Sequence, residues 1–97
     1  MHNETKATQI PPQVKEAVWK RDGGVCSVCG NPHAAPNSHV VKRSHGGMGI
    51  ETNIVTMCPT CHEAFDGMGR SYLLPRVERY LKSKYKNWKR EDQIYHK

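Results

Sequence analysis

Cys26-Ser27-Val28-Cys29 and Cys58-Pro59-Thr60-Cys61-His62 are the stretches whose reading decides the fold of this chain. Two thiolates separated by two residues reach one ion from a single tight turn. Two such turns complete a tetrahedral four-sulfur site, the usual arrangement for structural zinc. The chain has four cysteines and both pairs use them all, so none is left as a free nucleophile. Two disulfides are the alternative that the same spacing allows. Residues 1–10 are polar with no apolar run, nothing like a signal peptide, so the expected compartment is the reducing cytoplasm, which favours zinc.

Ninety-seven residues with 36% hydrophobic content and a single Phe make one small domain with little core, a size at which a metal is often needed. No stretch approaches the roughly 20 apolar residues of a membrane span. The net charge is +6, and it is unevenly spread. Through Gly69, Lys6, Lys15, Lys20, Arg21, Lys42 and Arg43 balance Glu4, Glu16, Asp22, Glu51, Glu63 and Asp66. From Arg70 onward nine basic residues face only Glu78, Glu91 and Asp92. A basic element on a neutral zinc module points to a polyanion, most simply nucleic acid.

Working outward from the cysteines, Pro11 and Pro12 lead into a helix over residues 13–21, where Val14, Ala17 and Val18 recur at helical spacing before Asp22-Gly23-Gly24. Residues 31–37, with Pro32 and Pro36, read as a loop, and residues 38–43 as a strand around Val40 and Val41. Residues 44–51 carry Gly46, Gly47 and Gly49 and read as a second loop. Residues 53–57 are β-branched and read as the returning strand. Pro59 suits the first position of a short helix that Gly67 closes. Pro75 is expected to start a last helix with Val77, Tyr80, Leu81, Tyr85 and Trp88 along one apolar stripe and Arg76, Arg79, Lys82, Lys86 and Lys89 among its basic residues. The organisation expected is a flexible tail over residues 1–11, a zinc-pinned core over 12–70 and a basic C-terminal helix over 71–97 packed on that core.

Between the cysteine pairs, strand, glycine loop, strand and helix make a ββα unit, so the fold class is a small zinc-stabilised α+β domain. His62 and Asp66 are four apart on the helix, project from one face and can share a cation. Such nitrogen and oxygen ligands suit a divalent ion with open positions for substrate and water. His39, on the first strand, supplies an imidazole able to take a proton from water.

The order His39, then Asn53 within Glu51-Thr52-Asn53-Ile54-Val55, then Cys58-Pro59-Thr60-Cys61-His62, resembles the HNH endonucleases with their ββα-metal fold. Ser38-His39-Val40-Val41-Lys42-Arg43-Ser44-His45-Gly46-Gly47 resembles their H-x-x-x-R-S-x-G-G loop, and Arg21-Asp22-Gly23-Gly24-Val25-Cys26 resembles their approach to the first knuckle. The resemblance implies that His39 is the general base, that Asn53 braces the loop or binds the metal, and that His62 is the helical metal ligand. Asp66 stands where a second helical histidine is frequent, and Ser38 where a metal-binding histidine or aspartate often precedes the base.

The implied activity is hydrolysis of phosphodiesters, DNA rather than RNA, by one divalent ion (magnesium, manganese, nickel or zinc), with Arg43 steadying the phosphate. Small free-standing members resemble those of phages and prophages, which implies a role in packaging or restriction, partners such as terminase, and a host-cytoplasmic location. A zinc-ribbon module that binds nucleic acid without cutting it is the alternative. The backbone contacts to nucleic acid are expected from Arg43, Arg76, Arg79, Lys82, Lys86 and Lys89.

Overall fold

The computed structural model describes residues 7–95. Helix α1 spans Pro12–Arg21, with Pro12 at a first-turn position where its missing N–H costs nothing. Of its residues only Val18 is buried, and the chain leaves through Gly23 and Gly24, both at positive φ. Strand β1 is Ala35–His39 and β2 is Ile54–Met57. They form a two-stranded antiparallel sheet that pairs Ala35 with Met57, Ser38 with Val55 and His39 with Ile54. Helix α2, Pro59–Asp66, starts at Cys58, whose Sγ accepts from the Cys61 N–H, and its last turn runs into Gly67. Helix α3 is Arg70–Lys84.

Two helices and the sheet enclose the core. Val40, Val55 and Met57 pack with Phe65 of α2 and with Leu73, Val77 and Leu81 of α3, joined by Cys26, Cys58 and Trp88. All four residues of β2 are buried, so the second strand runs through the middle of the molecule.

Three expected elements differ. The first strand lies at Ala35–His39 rather than 38–43 and takes in part of the expected proline loop. Pro36, without an N–H to give a ladder, sits where the register is irregular. Val40 and Val41 are buried, but their N–H groups bond to Asn53 instead of continuing the sheet. The last helix starts at Arg70, not Pro75, because Leu73 joins Val77 and Leu81 at four-residue intervals in the buried stripe. Pro75 lies inside it, and packing overrides its usual role as a starter. The helix stops at Lys84: Tyr85 is extended and Asn87 takes positive φ. Tyr85 and Trp88 therefore reach the core from a returning segment, where the Trp88 indole N–H donates to the Thr52 carbonyl at 2.7 Å. Lys86 and Lys89 lie on this segment and not on the helix.

Residues 7–11 of the expected flexible tail are docked; residues 1–6 fall outside those described. Thr8 is 3% exposed, and the Ala7 carbonyl accepts from the Gly49 N–H at 3.0 Å. At the other end the Gln93 carbonyl accepts from Met48 N–H and the Tyr95 N–H donates to Gly46. The glycine loop is thus gripped from both sides. Glycine is required at 47 by the approach of the chain just before the loop: a Cβ there would stand 1.7 Å from the Val41 carbonyl oxygen.

Candidate active site and metal centre

The four cysteine sulfurs lie within 4.8 Å of one another, the only set of three or more His, Cys, Asp or Glu ligand atoms so gathered among the described residues. The knuckle geometry explains the meeting. Gly30, at positive φ, folds the first pair back with its N–H on the Cys26 carbonyl, while Cys58 and Cys61 share the first turn of α2. None of the four is disulfide-bonded. Burial raises the Cys26 thiol, but backbone hydrogen bonds from Cys29, Cys58 and Val28 outweigh it and bring its pKa to about 7. Burial, then the neighbouring sulfurs of Cys58, Cys29 and Cys26, push Cys61 far up. Four thiols this close ionise together only around a cation, and tetrahedral zinc fits the donor set.

The second group of residues converges around the sheet and α2. His62 and Asp66 face each other along the helix, Nε2 to Oδ2 at 3.2 Å, with side chains 35% and 55% exposed. The other ring nitrogen of His62, Nδ1, is 2.6 Å from the hydroxyl of Ser38, which is fully buried. A hydroxyl donates or accepts, so Ser38 holds the His62 ring whichever nitrogen carries the proton. His62 also lines a cleft of about 260 Å³ with His33, Ala34, Ala35, Asn37, Met57 and Pro59.

His39 ends β1. Its Nε2 is 2.8 Å from the Thr8 carbonyl oxygen. Burial holds its pKa below the ordinary histidine range; the Thr8 hydrogen bond and Asp66 pull it up, while Arg43 and His62 push it down. The ring is therefore neutral at physiological pH and lies in the electrostatic reach of Arg43, His62 and Asp66.

Asn53 is wholly buried. Its Oδ1 accepts from Val41 N–H at 2.9 Å, and its Nδ2 donates to the Met48 carbonyl at 2.8 Å and to the Val41 carbonyl at 3.3 Å. Both ends of the amide are spent on the loop between the strands, the bracing arrangement rather than the metal-binding one.

A family model, HNH endonuclease, matches residues 26–65. Residues 26–65 are therefore similar to an HNH endonuclease domain. The match holds all four cysteines, Ser38, His39, Arg43, Asn53 and His62, whereas Asp66 lies one residue beyond it. No curated protein and no solved structure gives a significant match to the chain.

The basic residues expected to meet nucleic acid lie in several parts of the fold. Arg76 and Arg79 are exposed on α3, with Arg76 reaching the Val28 carbonyl in the first knuckle at 3.3 Å. Lys82 and Lys89 line a groove with Glu78, Trp88, Arg90 and Glu91, in which Arg90 is already paired with Glu78 at 2.6 Å. Arg43 is exposed beside the HNH loop, its Nε 3.4 Å from the Thr8 hydroxyl.

Two groups of consequence escape sequence reading. Arg21 and Asp22 form a buried pair at 2.8 Å. Arg21 also caps the carbonyls of Glu51 and Ile54, while Asp22 accepts from the Thr56 N–H and the Tyr80 hydroxyl. They tie α1 to β2 and α3. The likeness of the Arg21-Asp22 stretch to its counterparts was the available signal. The other is Thr8, for which the sequence offers none.

No helix of the described residues is long and apolar enough to cross a membrane.

Proposed function

We propose that this chain is a metal-dependent endonuclease that hydrolyses phosphodiester bonds of DNA, with His39 as general base. One observation carries the reading: a neutral, half-buried His39 stands in the field of an exposed His62–Asp66 pair, both histidines inside the segment similar to HNH endonucleases and Asp66 just past its end. His62 and Asp66 are the residues that would hold a divalent ion, and their nitrogen and oxygen donors fit magnesium, manganese, nickel or zinc. Such an ion supplies charge stabilisation at the phosphoryl group. Ser38 orients the His62 ring instead of ligating. His39 removes a proton from water, whose oxygen attacks phosphorus in line as the 3′ oxygen leaves. The products are 5′-phosphate and 3′-hydroxyl ends. Arg43 steadies the non-bridging oxygens, and Arg76, Arg79, Lys82, Lys86 and Lys89 hold the strand backbone.

The rival, a zinc module that binds nucleic acid without cutting it, draws on the fact that His62 and Asp66 supply only two ligand atoms. One experiment separates the two: plasmid relaxation with each of the four ions, wild type against His39→Ala. The nuclease reading expects a loss of roughly 10²–10⁴-fold in the variant, with DNA and ion binding retained. Wild-type-like nicking by His39→Ala sinks it, and an inert wild type with every ion favours the rival.

A further inference from the structure

The segment similar to HNH endonucleases begins at Cys26, yet one hydrogen bond to its proposed base comes from eighteen residues earlier in the chain. The His39 Nε2 lies 2.8 Å from the Thr8 carbonyl oxygen. A carbonyl only accepts, so Nε2 carries the proton, and in the neutral ring Nδ1 is the nitrogen left with a lone pair. The same residue makes a second contact with the site: its hydroxyl accepts from Arg43 Nε at 3.4 Å.

Thr8 is firmly seated. It is 3% exposed, and the Gly49 N–H donates to the carbonyl of Ala7. The loop passes so close beneath that a Cβ on Gly49 would stand 1.8 Å from the Gln9 carbonyl oxygen and 2.9 Å from the Ile10 nitrogen. Gly49 is not at positive φ, so close approach, and not backbone conformation, is what demands glycine there.

We propose that residues 7–10, outside that segment, are a working part of the active site: the Thr8 main chain fixes the ring of His39 with Nδ1 as its basic nitrogen, and the Thr8 hydroxyl positions Arg43. Thr8 is a positioning residue, since it acts through His39 and Arg43. The inference rests on the nuclease reading for its consequence in catalysis, but the seating of the strap and the state of the imidazole are independent of it. A base held by an outside strap is aligned before substrate arrives, and misplacing a reacting group by about 1 Å is enough to cost on the order of 10²-fold.

Gly49→Ala evicts the strap without altering any residue assigned to the chemistry. Imidazole nitrogen NMR of the zinc-loaded full chain is expected to show His39 with a slowly exchanging, hydrogen-bonded Nε2–H in wild type. In Gly49→Ala that proton should exchange rapidly and the two tautomers should average. Single-turnover plasmid cleavage should fall about 10–100-fold, with the Kd for DNA within about twofold. Thr8→Val, which keeps the carbonyl and removes the hydroxyl, tests the Arg43 contact should Gly49→Ala fail to retain zinc. Its cleavage rate should fall several-fold at unchanged KM, and Thr8→Ser should restore it.

Wild-type cleavage by Gly49→Ala after loss of the His39 signature overturns the proposal, as does a wild-type His39 with no protected Nε2–H. A Thr8→Val rate equal to wild type overturns the role of the hydroxyl. If wild type cleaves nothing, the nuclease reading fails, while the NMR still reports whether the strap holds the ring.

Discussion

Replacing Asn53 by alanine should cost this domain about a fifth or more of its stability, and the structure says why. The side chain is fully buried and satisfies three main-chain groups: Val41 N–H at 2.9 Å, Val41 C=O at 3.3 Å and Met48 C=O at 2.8 Å. Alanine leaves all three without that partner. A buried group stripped of its partner costs about 1–3 kcal/mol, with the N–H at the upper end because it has no second way to bond. The longer bond to Val41 C=O contributes least. The sum is about 3–5 kcal/mol, against about 5–15 kcal/mol for a whole domain of this kind. At about 4–8 °C per kcal/mol for a domain this small, Tm should drop by roughly 12–40 °C.

The assay is thermal or urea unfolding of the zinc-loaded protein at fixed zinc concentration, followed by circular dichroism. Asn53→Asp sharpens it. The carboxylate keeps an acceptor for Val41 N–H but turns a charge toward two carbonyls, so it should be at least as damaging. A loss below about 1 kcal/mol in Asn53→Ala, together with weakened binding of a divalent ion at the proposed site, would refute the bracing argument and make Asn53 a ligand.

Three further outcomes follow from the packing and charge. Cys58 is both a sulfur of the four-cysteine cluster and the first residue of α2's cap, so Cys58→Ser should unfold the domain rather than merely inactivate it; metal analysis should find one zinc per folded chain, and native mass spectrometry showing two disulfides and no zinc would discard this. Asp22 has its pKa held below the ordinary carboxylate range, burial being outweighed by Arg21, Tyr80 and the Thr56 N–H. Its contribution is therefore complete above that range and lost as pH falls through it, so acid titration of stability should be steeper in wild type than in Asp22→Asn, and parallel curves would show that the pair is idle. Changing Lys82, Lys86 and Lys89 to glutamine should flatten the slope of log affinity for duplex DNA against log salt by up to about three, at about −0.9 per phosphate contact, and an unchanged slope would move the DNA onto Arg43, Arg76 and Arg79.

What the sequence disclosed follows from how locally each feature is encoded. The four-cysteine cluster was legible because the two C-x-x-C turns each preform half a site, whatever the rest of the chain does. Helix α2 was legible because Cys58, Pro59 and Gly67 carry its limits in their own chemistry. The His62–Asp66 pair was legible because four residues on a helix make neighbours. The first strand and the last helix were misplaced where packing outvotes local signals. Pro36 reads as a loop and Pro75 as a helix start, yet the pairing with β2 and the burial of Leu73 decide both. Tyr85 and Trp88 fell at helical spacing and are indeed packed with the core, but Tyr85 does so as the extended residue that ends the helix and Trp88 only after the chain has turned at Asn87.

Contacts that join distant segments have no such local code, and the site depends on several. Asp22 reaches Thr56 and Tyr80, Trp88 reaches Thr52, and Thr8 reaches His39 across thirty-one residues. In each case at least one partner is a main-chain group or a hydroxyl whose residue type is interchangeable in sequence terms. The Thr8 carbonyl is the extreme instance, since every residue has one. The only trace it leaves in the sequence is indirect: a glycine at 49 that no backbone angle requires, kept bare because another stretch of chain lies against it. Glycines in a loop are commonly taken as hinges. In this loop Gly47 and Gly49 mark the reverse, two places where main chain is pressed against main chain, and the second of them is where the segment bonded to His39 is seated.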